Sequence, residues 1–150
     1  SMKGYDIVKG FSAEQKQRLQ GLRVYFGHQS VGKNIVHGIQ LILQQVPDLQ
    51  LRVESLDAAK PPFAPGTIVH GKIGKNTEPL SKLHDFIDKL EGGLADQVDV
   101  AIIKFCWIDF NRHTDVDALF AEYKKALDEL QAAHPNLILV YATVPLKVKQ

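Results

Sequence analysis

The stretch LRVYFGHQSVGKNIVHGI, Leu22–Ile39, changes from one hydrophobic period to another within a few residues. Leu22–Phe26 is a short apolar run suited to a strand. From Val31 onward the apolar positions Val31, Ile35, Ile39, Ile42 and Leu43 recur at helical spacing and end near Pro47. A strand that runs almost directly into a helix opens a β-α-β unit, so the rest of the chain is expected to continue the alternation.

It does so on both sides. Upstream, Ser12 with Gln15 three residues later is a capping-box signature for a short helix over 13–20, with Gly21 as its stop. Downstream, Leu49, Leu51 and Val53 alternate with Gln50, Arg52 and Glu54 as a strand does. Leu80, Leu83, Ile87 and Leu90 mark a helix that stops at Gly92-Gly93. Val98–Trp107 is continuously apolar except for Asp99 and Lys104, the pattern of a strand covered on both faces. Thr114 with Asp117 is expected to cap a helix whose stripe is Val116, Leu119, Phe120, Tyr123, Leu127 and Leu130. His134-Pro135-Asn136 ends it, and LILVYATV, residues 137–144, is the last expected strand. Between the second strand and the third helix, residues 57–79 carry Pro61, Pro62, Pro65, Gly66, Gly71 and Gly74, so an irregular loop is expected there. A loop this long in a compact domain is more often functional than idle.

The order α-β-α-β-α-β-α-β predicts an α/β fold, a three-layer αβα sandwich around a parallel sheet, as one domain over residues 1–150. In such sheets ligands sit beyond the carboxyl ends of the strands. Four segments are expected at that edge: Gly27–Ser30, Asp57 onward, Trp107–His113 and Thr143–Leu146.

The composition narrows the function classes. At 150 residues with 45% hydrophobic and 23% charged, the chain has the balance of an ordinary globular domain with its own core. A net charge of +1, with both signs mixed throughout, leaves no basic face for nucleic acid. No apolar run approaches the roughly 18 residues that suggest a membrane span. The single cysteine, Cys106, excludes an internal disulfide and reads as a small buried hydrophobe. Neither H-E-x-x-H nor C-x-x-C occurs, so no metal and no cofactor are expected. Ser1-Met2 reads as a cloning remnant. The compartment stays open between the cytoplasm and export with a signal already removed.

Two chemistries compete for Gly27–Asn34. The segment nearly matches the phosphate-loop pattern G-x-x-x-x-G-K-[ST], with Lys33 in place and Asn34 where a magnesium-binding hydroxyl belongs. It also sets Ser30 where a strand gives way to a helix. There Ser30 is a good helix cap, and the same position suits a nucleophile, because a helix N-terminus favours developing negative charge. His28, His70 and His113 fall on segments of the same edge. His37, His84 and His134 belong to helices or a helix end and are expected to be solvated. Asp109 is expected to cap a loop or to pair with nearby Arg112, and Trp107 and Phe110 to pack in the core.

These residues resemble the SGNH (GDSL-like) hydrolases, esterases and deacetylases on a flavodoxin-like αβα sandwich. The family's G-D-S after its first strand corresponds to the glycine and serine of VYFGHQS, which implies Ser30 as nucleophile. GKIGKNTEPLSKL is similar to the second block and implies Gly74 as the oxyanion-hole glycine. VDVAIIKFCWID is similar to the third block, G-x-N-D, with Asp109 matching, Cys106 in place of the glycine and Ile108 in place of the oxyanion asparagine. The resemblance implies Gly27, His28, Asn76 and Asn111 as substrate-contacting positions, with Asn76 or Asn111 the substitutes for the missing amide. The family's final D-x-x-H, which supplies the base, has no counterpart before Gln150, and neither do a fifth strand and a last helix after the four strands counted above. The resemblance implies a small-molecule or carbohydrate ester as substrate, with a non-catalytic binding domain as the alternative. The uncovered sheet edge implies pairing with a second copy as a homodimer.

Overall fold

A computed structural model describes residues 4–142 and 144. The readings of Ser1-Met2, Thr143, Pro145 and Leu146 lie outside the described residues. Five strands make the sheet: β1 (Val24–His28), β2 (Arg52–Ser55), β3 (Thr67–Lys72), β4 (Val100–Ile103) and β5 (Ile138–Tyr141). All pair in parallel, in the order β2-β3-β1-β4-β5. The helices are α1 (Gly4–Lys9), α2 (Ala13–Gly21), α3 (Ser30–Gln45), α4 (Pro79–Glu91) and α5 (Val116–Ala133). This is the three-layer α/β arrangement expected from the alternation.

β1 is the middle strand, with Val24 opposite Ile68 of β3 and opposite Val100 of β4. Its residues alternate between the two layers as a period of two requires. On one face Tyr25 stacks on Phe86 of α4 with ring centroids 5.6 Å apart. Tyr25 and Phe86 belong to a buried cluster with Val69, Leu83, Leu90, Ala101, Leu127 and Leu130. On the other face Phe26 and His28 lie under α3. A Cβ on Gly32 of α3 would stand 2.1 Å from the His28 ring, so only glycine lets that helix close over the imidazole.

Several expectations about local structure change. Residues 57–79 are not wholly irregular, because β3 runs through them. The β-branched run Thr67-Ile68-Val69 fills the slot between β1 and β2, with Thr67 and Val69 buried. Its sheet hydrogen bonds outweigh the Pro65, Gly66 and Gly71 signals around it. Among the described residues the strand count is therefore five instead of four. α1 is an element beyond those expected; it is six residues long and buries no side chain, so it has no apolar stripe to announce it. Asp115, not Thr114, caps α5, accepting from the Ala118 amide at 2.9 Å. Thr114 instead accepts from the Asn111 amide. The Ser12–Gln15 capping box at α2 is present. Among the described residues β5 forms one edge of the sheet, with Ile138, Val140 and Tyr141 exposed.

Beneath α3 sits a histidine pair. His28 Nδ1 lies 3.1 Å from the Gln29 carbonyl, which can only accept, so that nitrogen carries the proton. In the neutral ring His28 Nε2 is then an acceptor and receives the His70 Nδ1–H at 3.0 Å. Burial holds the pKa of both rings below the ordinary imidazole value; at His28 the nearby charges of His70, Lys104 and Lys33 add to it, against the Gln29 hydrogen bond. Above about pH 6.5 both rings are neutral folded or unfolded, and their contribution to stability is whole. As pH falls below that value the unfolded imidazoles take up protons that the folded ones refuse, so stability declines toward the depressed folded-state pKa values. Urea unfolding at pH 7.5 and 5.5 should show this loss, and His70→Gln should make it shallower. An unchanged pH slope in the variant would contradict the assignment.

Candidate functional site

The site grows from the junction of β1 and α3. Only Gln29 separates the two elements, in an extended conformation, with its Nε2 donating to the carbonyls of Ile73 at 2.9 Å and Gly74 at 2.6 Å. Gln29 is therefore the cap residue, and Ser30 is the first helical residue. The expected capping role of Ser30 is not seen. Its side chain is exposed at the carboxyl edge, and its Oγ accepts from Asn76 Nδ2 at 3.0 Å. The first N–H groups of a helix have no partner within it, so they project positive potential around this hydroxyl.

Asn76 comes from the segment between β3 and α4, which follows an unusual path. Gly74 has φ +48°, and a Cβ there would come within 2.4 Å of the Lys82 backbone nitrogen. Thr77 has φ 70°, a rare conformation for a β-branched residue. Two carboxylates hold the segment. Asp85 Oδ2 accepts the Gly74 amide at 2.8 Å, and Asp109 Oδ1 accepts the Thr77 amide at 2.9 Å.

Asp109 is the hub. It closes the short 3₁₀ turn Trp107–Asp109 after β4, where its Oδ2 also accepts the Cys106 amide at 2.7 Å. Both of its oxygens accept from Lys82 Nζ, at 2.7 and 2.6 Å, and neither side chain reaches solvent (0% and 0%). The third Lys82 bond goes to Asn76 Oδ1 at 2.9 Å. An ammonium has three donors and no acceptor. All three are engaged, so Lys82 cannot serve as a base for Ser30. Its bond to Asn76 fixes which end of that amide is oxygen: Oδ1 faces the ammonium and Nδ2 faces Ser30.

Of the residues singled out in the sequence, the structure brings together Ser30, Asn76 and Asp109, with Gly74 beside them. The pairing of Asp109 with Arg112 is not formed; Lys82 takes that place, and Arg112 Nε donates to His113 Nε2. The Gly74 amide points to Asp85 and is not presented to the Ser30 hydroxyl. Gly27 faces the core, where a Cβ would stand 2.9 Å from Phe86. His28 is buried beneath Gly32 with both ring nitrogens engaged. Asn111 folds into its own turn, accepting from the His113 amide. Trp107, expected in the core, is 43% exposed, whereas Phe110 packs edge-on against Phe105. Among the described residues no imidazole nitrogen is a hydrogen-bond partner of Ser30 Oγ, and no three of His, Cys, Asp and Glu converge to hold a metal. No described helix is long and apolar enough to cross a membrane.

The phosphate-loop reading of Gly27–Asn34 meets a geometric obstacle. Gly27 and His28 belong to β1, and Gly32, Lys33 and Asn34 to α3. The one residue left between them provides no loop whose amides could surround a phosphate.

Lys82 escaped sequence reading, although it left a signal. It lies four residues before Phe86 and eight before Leu90, in one row of α4 that is wholly buried. A lysine in an inward-facing row requires a buried carboxylate partner. Comparison with family models, curated proteins and solved structures finds no match for the chain.

Removing one member of a buried pair leaves the other charge uncompensated, typically at a cost of about 3–5 kcal/mol. Lys82→Met should lose roughly that much in urea unfolding. Lys82→Met with Asp109→Asn, which removes both charges and keeps an oxygen acceptor for one of the two turn amides, should lose clearly less. Equal losses would contradict an ion pair at this position.

Proposed function

We propose that this chain carries the nucleophile and oxyanion-binding half of a serine hydrolase site of the SGNH type, acting on an ester or acetyl group such as those borne by carbohydrates. The observation that carries the reading is the exposed Ser30 hydroxyl. It sits on the first residue of α3, has no capping duty, and has the Asn76 amide nitrogen 3.0 Å from its Oγ.

In this reading Ser30 Oγ attacks the carbonyl carbon and gives up its proton to a base. The carbonyl π electrons move to oxygen, and the resulting oxyanion is met by the Ser30 amide and Asn76 Nδ2. Collapse expels the alcohol, which takes a proton, and water then releases the acyl group by the same steps. Asn76 stands in for the family's asparagine, whose place here is Ile108. The Gly74 turn, with its amide held by Asp85, shapes the segment that presents Asn76. A single oxyanion donor is typically worth ~2.7–4 kcal/mol of transition-state stabilisation. The same reading makes the exposed β5 edge the place where a second copy would pair.

One observation favours a second reading, a binding domain without chemistry. Both nitrogens of His28 are engaged elsewhere, and among the described residues Ser30 Oγ has no imidazole partner. A serine without a base lacks the activation that nucleophilic catalysis needs. A fluorophosphonate probe separates the two. Intact-mass measurement should show one adduct per chain, absent in Ser30→Ala. A chain that never labels, yet binds acetylated saccharides, would favour the binding domain.

A further inference from the structure

We propose that Lys82 is a positioning residue for Ser30, acting through Asn76, and that Asp109 makes it so. This deepens the hydrolase reading above and rests on it.

An asparagine amide does not choose its own orientation. Its two ends are nearly equal in size, and a half-turn of the group exchanges donor for acceptor. Turned one way, Asn76 offers N–H to Ser30 Oγ and to an oxyanion forming on a substrate beside it. Turned the other way, it offers a lone pair, which repels an oxyanion and competes for the serine proton. The choice is made by Lys82, which can only donate and therefore captures Oδ1 at 2.9 Å. Lys82 holds its position because both oxygens of Asp109 grip the same ammonium, and Asp109 in turn is tied to the Thr77 and Cys106 amides. The pair lies wholly out of solvent, so water does not compete for the ammonium and loosen the arrangement. Asn76 and Lys82 are six residues apart, yet the reversal at Gly74–Thr77 sets their side chains face to face.

A merely structural lysine and a positioning lysine differ in how their loss combines with the loss of Asn76. The test is a double-mutant cycle on the rate of fluorophosphonate labelling at Ser30. Asn76→Ala should slow labelling by roughly 10²-fold, the lower end for one lost oxyanion donor. Lys82→Met should slow it by about 10-fold or more in the wild-type background, and by no more than about 2-fold in the Asn76→Ala background. Lys82→Met with Asp109→Asn should behave as Lys82→Met does, which guards against a single variant that fails to fold. Equal factors for Lys82→Met in both backgrounds would overturn the proposal.

A second readout does not depend on labelling. In the ¹⁵N-resolved spectrum the Asn76 side-chain amide, identified by its loss in Asn76→Ala, should move toward the positions of solvent-exposed asparagines in Lys82→Met and in the double variant. An Asn76 amide unmoved by loss of Lys82 would overturn the positioning role even if Ser30 labels. A moved amide in a chain that never labels would leave the positioning of Asn76 standing and sink the nucleophile reading.

Discussion

A lysine and an aspartate meet where neither touches water, and the carboxyl edge of the sheet is arranged around that contact. Taking both charges out of solvent is costly, and the mutual attraction offsets that cost only if every remaining hydrogen-bonding position is filled. Here they are filled. Asp109 receives four hydrogen bonds, two from Lys82 Nζ and one each from the Thr77 and Cys106 amides. Lys82 spends its third donor on Asn76. One ion pair therefore ties together helix α4, the segment after β3 and the turn after β4. The segment after β3 leads directly into α4, whereas the turn after β4 lies 27 residues beyond Lys82, and the ion pair fastens that distant turn to the other two.

That tie accounts for the backbone above it. A threonine at positive φ is a conformation of order 1–3 kcal/mol less favourable than the ordinary ones, and it persists only where its surroundings over-determine it. The Thr77 amide bonded to Asp109 and the Gly74 amide bonded to Asp85 are such surroundings. The consequence is local. The segment turns back sharply enough to bring Asn76 over the first turn of α3, where Ser30 presents its hydroxyl. In the reading proposed here, a serine made reactive by a helix N-terminus and an asparagine made directional by a lysine are two products of one constraint.

The layer architecture was legible because hydrophobic period is a local property. Val31, Ile35 and Ile39 reveal α3, and the apolar run around Val100–Ile103 reveals β4, with no knowledge of neighbours. β3 was not legible because its pattern is interrupted by His70 and Gly71, and its stability comes from pairing on both sides. At the edge, Ser30 and Asp109 stood out by position, at the end of an expected strand or the start of a helix. The partner of Asp109 did not. Proximity in sequence favoured Arg112, whereas folding brings Lys82 from 27 residues away. Gly74 shows the limit from the other side. Its glycine requirement was readable, but the direction of its amide depends on Asp85, eleven residues on, and no pattern in the segment announces that bond.

In the proposed site Ser30 and Asn76 act together, the first as attacking atom and the second as donor to the charge that develops. The decisive measurement is a crystal structure of the chain after reaction with a fluorophosphonate. Phosphorus is expected on Ser30 Oγ, with a phosphoryl oxygen within hydrogen-bond distance of both Asn76 Nδ2 and the Ser30 amide while Lys82 still holds Asn76 Oδ1. An adduct whose phosphoryl oxygen turns away from Asn76, or phosphorus on any other residue, would contradict a joint site.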